Sequence, residues 1–152
     1  MACLAGPLVV SVPTYSEKLF VPRPASLYTA PMKNLLKIEE LLLAGLALYL
    51  FLQLDVAWWW FLVLFFAPDL SMIGYLGGPR AGAWTYNLVH HKGIAVALYL
   101  LGATLAVTWL QVAGLIMLAH SSFDRVLGYG LKYPDAFQHT HLGMIGRNSR
   151  QL

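Results

Sequence analysis

The stretch LAHSSFDRVLGYGLKYPD, residues 118–135, places His120 and Asp124 four residues apart. At that spacing they share one face of a helix. An imidazole and a carboxylate so arranged can both ligate a divalent metal ion, or the carboxylate can fix the imidazole tautomer from behind. Residues of the same chemistry occur elsewhere. Asp69 follows Pro68 in FFAPDLSMIGYL, and His90 and His91 close TYNLVHH, three and four residues after Asn87. Asp69, His90, His91, His120 and Asp124 are therefore the candidate ligands for a divalent metal ion, and Asp69, His120 and Asp124 the candidate catalytic groups. A structural role competes for each. Asp124 could balance Arg125 or Lys132 while His120 hydrogen-bonds within a bundle, and an Asp-Ser pair could satisfy the backbone that Pro68 loosens.

Composition sets what must position these groups. Of 152 residues 59% are hydrophobic and 11% charged, against about a quarter charged in an ordinary soluble domain. The apolar residues concentrate between Leu35 and Leu127, which makes the lipid bilayer the expected partner. The single cysteine, Cys3, excludes an intrachain disulfide framework and a cysteine metal motif. A formal charge of +3, with no basic run interleaved with aromatics, argues against nucleic acid.

Dividing the apolar length into spans of about 20 residues predicts four helices. They run from Asn34 to Leu54, Val56 to Leu76, Arg80 to Leu101 and Trp109 to Leu127, with a tight turn at Asp55, a break at GGPR over 77–80 and a bend over 102–108. The expected fold class is all-α, a four-transmembrane-helix bundle over residues 32–130 with a cytoplasmic C-terminal tail over 131–152. Ahead of it, residues 1–31 hold five of the eight prolines and read as an extended or disordered tail. That stretch lacks the positive start and unbroken apolar core of a secretory signal, and Met32 offers an alternative translation start. Lys33, Lys37, Arg80, Arg125, Lys132, Arg147 and Arg150 all fall at one end of the predicted bundle, whereas the opposite turns carry only Asp55. The positive-inside rule then puts both termini in the cytoplasm. Arg80, Arg125 and Lys132 are the candidate head-group or interface contacts.

Counted inward from that end, Glu39 and Glu40, Asp69, His90 and His91, and His120 all reach a depth of roughly 9 to 15 Å. Ionisable groups at such depth are costly unless they face the bundle interior and pair with each other, a metal or water. A shared polar layer is the expectation, with Glu39 and Glu40 in a solvated interfacial role and Lys92 either pairing with a carboxylate or extending outward. His139 and His141 belong to the surface tail, with folding back over the layer as the alternative. Gly45, Gly74, Gly82 and Gly114 are the small residues expected to let helices approach.

Three stretches, KNLLKIEELLL, FAPDLSMIGYLGGPRAGAWTYNLVHH and AHSSFDRVLGYGLKYPDAFQHTHLG, together resemble the small bacterial membrane family catalogued as domain of unknown function 4260. The resemblance spans Met32 to Ile145. It implies a multi-span protein of the bacterial inner membrane and carries no activity with it. A looser similarity links APDL, NLVHH and AHSSFD to membrane-bound metal-dependent hydrolases, although the fuller Asp-x-Asp-His and His-Arg-x-x-x-His-Ser patterns are missing here.

Two functions compete. The leading reading is a small binding or accessory membrane protein whose polar layer holds its helices together, with a homo-oligomer among its expected partners. The alternative is a metal-dependent membrane hydrolase acting on a lipid-like or amphipathic substrate. Ion or proton transport is disfavoured by the apolar stretch from Gly93 to Leu110.

Overall fold

The structure is a computed structural model that describes residues 26–146, with side chains from Met32 onward. It is mostly helical: α1 (Ser26–Leu52), α2 (Trp59–Leu64), a 3₁₀ helix (Ala67–Gly77), α3 (Pro79–His90), α4 (Lys92–Thr104) and α5 (Thr108–Leu127), followed by a small antiparallel hairpin of β1 (His139–Thr140) and β2 (Gly143–Met144). α1 takes in Ser26 to Pro31, the end of the stretch expected to be extended; proline's fixed φ of about −65° suits helical backbone, and Pro31 forgoes a single hydrogen bond near the helix start. Residues 1–25 and 147–152 lie outside the described residues, and with them Cys3, Arg147 and Arg150.

α5 is the organising element. Val112, Leu115, Ile116 and Ala119 recur at helical spacing and are buried, because α1 and α4 both pack along this helix. Ala47 and Phe51 from α1, Phe61 from α2 and Ala95 from α4 complete the core. α3 packs instead along the 3₁₀ helix, where Thr85 Oγ1 donates to Ser71 O at 2.9 Å.

Two of the expected helices are broken. The segment expected as one helix over Val56–Leu76 divides at Phe65 and Phe66, because Pro68 lacks an N–H and its ring crowds the carbonyl four residues earlier. Beyond the break the backbone tightens, starting with Asp69 N–H donating to Phe66 O at 3.2 Å. The helix expected over Arg80–Leu101 divides at His91, whose backbone is extended (φ −85°, ψ 110°). Its ring Nδ1 accepts from Ile94 N–H at 3.4 Å and caps α4. The reversal at Leu105 to Val107 falls inside the predicted bend and uses a positive φ of 54° at Ala106.

One helical segment among the described residues, the 19 residues Trp59–Gly77, is long and apolar enough to cross a membrane. The outer faces carry large exposed apolar side chains, including Leu42, Trp84 and Leu100.

Close packing rests on glycine in particular places. A Cβ at Gly114 would meet Tyr99 N at 2.5 Å and Ala95 O at 2.6 Å, backbone atoms of α4 that cannot swing away, whereas a Cβ at Gly45 meets nothing within 4 Å. Gly114→Ala should therefore lower stability by about 1–3 kcal/mol through overpacking. Gly45→Ala should be neutral or stabilising by up to about 1 kcal/mol. Thermal unfolding of the two variants in one detergent checks the pair.

Candidate metal centre

Four of the candidate side chains converge from three helices. Asp69 is the third residue of the 3₁₀ helix, His90 the last residue of α3, and His120 and Asp124 lie one turn apart on α5. Asp69 Oδ1 stands 3.3 Å from His120 Nε2 and 3.8 Å from His90 Nε2. Asp124 Oδ2 stands 3.6 Å from His90 Nε2 and 3.8 Å from His120 Nε2. Ligand atoms of Asp69, His90 and His120 all lie within 4.8 Å of one another. Around a tetrahedral ion bonded at about 2.0–2.2 Å, neighbouring ligand atoms stand about 3.3–3.6 Å apart, so the spacing needs only small closure to hold one.

The protonation of His90 suits a ligand. Its Nδ1 lies 2.9 Å from the Tyr86 carbonyl, which can only accept, so Nδ1 carries the proton and Nε2 is left with its lone pair. The ring is held flat against Tyr86, with centroids 3.7 Å apart and planes 11° apart. Tyr86 Oη in turn donates to Asp124 Oδ2 at 2.9 Å. His120 packs edge-on against Phe65. His90 Nε2 and both ring nitrogens of His120 are buried with no hydrogen-bond partner among the described residues. Unpartnered buried nitrogens are costly, and a cation bound by the two Nε2 atoms would remove the cost at those two.

The 3₁₀ geometry decides what surrounds the centre. Three residues per turn aligns Asp69, Met72 and Tyr75 along one edge. Asp69 and Met72 line a cavity of about 430 Å³ with Tyr86, His120, Asp124 and Lys132, while the Tyr75 ring meets Phe137 edge-on at 5.2 Å. Phe65, Phe66, Phe123, Leu127 and Ile145 supply apolar wall to the same cavity, so a polar floor faces hydrophobic sides.

Other sequence-predicted residues sit apart from this group. His91 is exposed, its ring used as the α4 cap, and Arg80 is exposed at the start of α3. Glu40 pairs with Lys92, which joins α1 to α4, and Glu39 is exposed. Arg125 lines a separate cavity of about 230 Å³ with Lys33, Lys37 and His141. The described part of the expected tail, up to residue 146, folds back over α3. Lys132 N–H donates to Asn87 Oδ1 at 2.7 Å, and Asn87 Nδ2 donates to Lys132 O at 2.8 Å, so one amide side chain grips the chain as a strand partner would. Lys132 is consequently buried, at 4% exposure, where an interface position was the expectation. Burial pushes its ammonium below the ordinary lysine range, and the nearby Asp124 charge partly offsets that. His139 Nδ1 pairs with Asp135 at 2.7 Å, and this hydrogen bond holds the Asp135 carboxyl below the usual range. His141 Nδ1 accepts from Leu131 N–H at 2.8 Å, and burial lowers the affinity of its ring for a proton. Tyr86 escaped sequence reasoning, although its spacing of four from His90 was a signal of a shared face.

The family model described as Domain of unknown function (DUF4260) matches residues 33–145. The chain belongs to this family. All four converging residues, and Tyr86, Asn87 and Lys132 with them, lie inside the DUF4260 region. No curated protein and no solved structure matches the chain.

The Asn87 grip has a direct consequence. Asn87→Ala removes two hydrogen bonds that hold residue 132, which should cost about 1–3 kcal/mol. Hydrogen exchange at the Lys132 amide should accelerate by about tenfold or more, while amides in the middle of α5 stay protected.

Proposed function

We propose that the chain is a four-span membrane protein that holds a divalent metal ion between Asp69, His90 and His120 and uses it to hydrolyse an amphipathic, lipid-like substrate. The convergence of two unpartnered histidine nitrogens on one carboxylate oxygen carries the reading. A metal ion there would supply a bound water of lowered pKa, about 7 in hydrolytic zinc sites. Asp124, whose carboxylate lies 3.6 and 3.8 Å from the two histidine Nε2 atoms, would serve as the general base, accepting a proton from the attacking water and passing it to the leaving group of the ester. The polar floor and apolar walls of the adjoining cavity suit a molecule with a reactive head and a hydrocarbon tail.

Membrane insertion is supported by the exposed apolar outer faces, by the Trp59–Gly77 segment and by the cation-rich end of the sequence, which would place both termini in the cytoplasm. A non-enzymatic role, with the polar layer serving only to join helices, has its own observation: the Tyr86–Asp124 and Glu40–Lys92 contacts each tie two helices together. The two readings differ in what the histidines are for.

Metal analysis after detergent purification separates them. The parent protein should hold about one equivalent of a divalent ion, and Co²⁺ added after chelation should give the visible absorption of a nitrogen- and oxygen-ligated centre. Asp69→Ala and His120→Ala should each weaken metal affinity by more than about tenfold, since even groups that only support ligands contribute that much. His91→Ala should bind like the parent. A parent that takes up no Co²⁺ and a His120→Ala variant altered only in thermal stability would establish the helix-joining role instead.

A further inference from the structure

Lys132 is a buried cation without a counter-ion in contact. None of the ion pairs among the described residues includes it, and its ammonium donates no hydrogen bond among them. Its Nζ lies over the Phe137 ring at 4.0 Å and near the Tyr86 and Tyr129 rings at 5.1 and 5.9 Å. Aromatic faces attract an ammonium but replace only part of its lost hydration. A lysine in this situation is normally exposed or paired.

The side chain is held there by its own backbone. Asn87 fixes residue 132 from both its N–H and its carbonyl, and an isolated bridge to Thr140 fixes it from the other side. The ammonium is thereby brought to the cavity that holds Asp69, His120 and Asp124. The charges of that cavity are two carboxylates and one ammonium. A divalent ion at the histidines turns this into one net positive charge, which favours an anion entering from the apolar side.

We propose that Lys132 binds the anionic oxygen head group of the substrate, so that the amphiphile taken by this site carries a phosphate-type charge beside the bond that reacts. The proposal rests on the metal reading for the sign of the cavity charge. Lys132 acts here as a point charge on a fixed stem and is a binding residue. The phosphate could belong to a lipid or be free inorganic phosphate, and the hydrophobic walls of Phe65, Phe66 and Phe123 distinguish the two by offering contact to a tail.

The test uses the full chain in phosphatidylcholine nanodiscs loaded with Co²⁺, titrated calorimetrically with hexyl phosphate, hexanol and inorganic phosphate. The parent should bind hexyl phosphate at least about tenfold more tightly than either of the others, in keeping with a charge pair made away from water together with tail contact. Lys132→Met, which keeps the length of the stem among the aromatic rings, should lose that preference for hexyl phosphate over hexanol, and Lys132→Arg should keep most of it. Thermal unfolding of both variants monitors the Asn87 grip, which uses only the backbone of residue 132. If Lys132→Met proves unstable, the proposal stands on Lys132→Arg retaining and Lys132→Gln losing the preference. Equal binding of hexyl phosphate by parent and Lys132→Met overturns the proposal and leaves the metal reading intact. Inorganic phosphate binding as tightly as hexyl phosphate also overturns it, because the tail would then contribute nothing. A parent that takes up no Co²⁺ yet binds hexyl phosphate through Lys132 overturns the metal reading alone.

Discussion

Burying two imidazoles against a pair of carboxylates, of which Asp69 stays partly open to the cavity, is the constraint around which this molecule is arranged. His90 and His120 are nearly inaccessible, and both turn their Nε2 atoms toward Asp69 and Asp124. Such groups tolerate burial only when their charges and lone pairs face one another or a cation. Every helix that contributes one of them must therefore arrive at the same place. α5 does so by packing between α1 and α4, and α3 does so by packing along the 3₁₀ helix.

The irregular backbone follows from that need. A continuous helix through Pro68 would repeat every 3.6 residues, whereas the 3₁₀ segment repeats every three, so Asp69, Met72 and Tyr75 share one edge, the first two lining the cavity and Tyr75 packing on Phe137 at its side. The break at His91 ends α3 with His90 turned inward and lets the next residue cap a new helix outward. Two adjacent histidines of identical chemistry are thus given different roles. The C-terminal segment then closes the layer, with Asn87 supplying from a side chain the paired hydrogen bonds that a neighbouring strand would otherwise make.

The ties between helices are mostly heteropolar, and each joins elements remote in sequence. Tyr86 to Asp124 links α3 to α5, and Glu40 to Lys92 links α1 to α4. In an apolar surrounding such contacts are directional in a way that Leu and Val packing is not. They define which faces meet, while Gly114 defines how close the backbones of α4 and α5 come and Gly82 makes room for the Tyr75 ring.

From the sequence alone one can determine helical class, the position of the turns at Gly78 and near Ala106, family membership, the expectation that Asp69, His90, His91 and His120 lie at similar depth, and that Asp124 shares a helix face with His120. These follow from local rules: apolar length, proline and glycine placement, and a fixed rise per residue. Depth leaves rotation undetermined. Whether His90 or His91 faces the layer depends on where α3 ends, a difference of one residue and about 100° that periodicity in a uniformly apolar segment cannot resolve. The inward place of Lys132 was equally hidden, because it is produced by hydrogen bonds between Asn87 and a chain segment 45 residues away. Only the tertiary structure decides such matters, since they arise from directional contacts between distant segments, and local composition carries no record of direction.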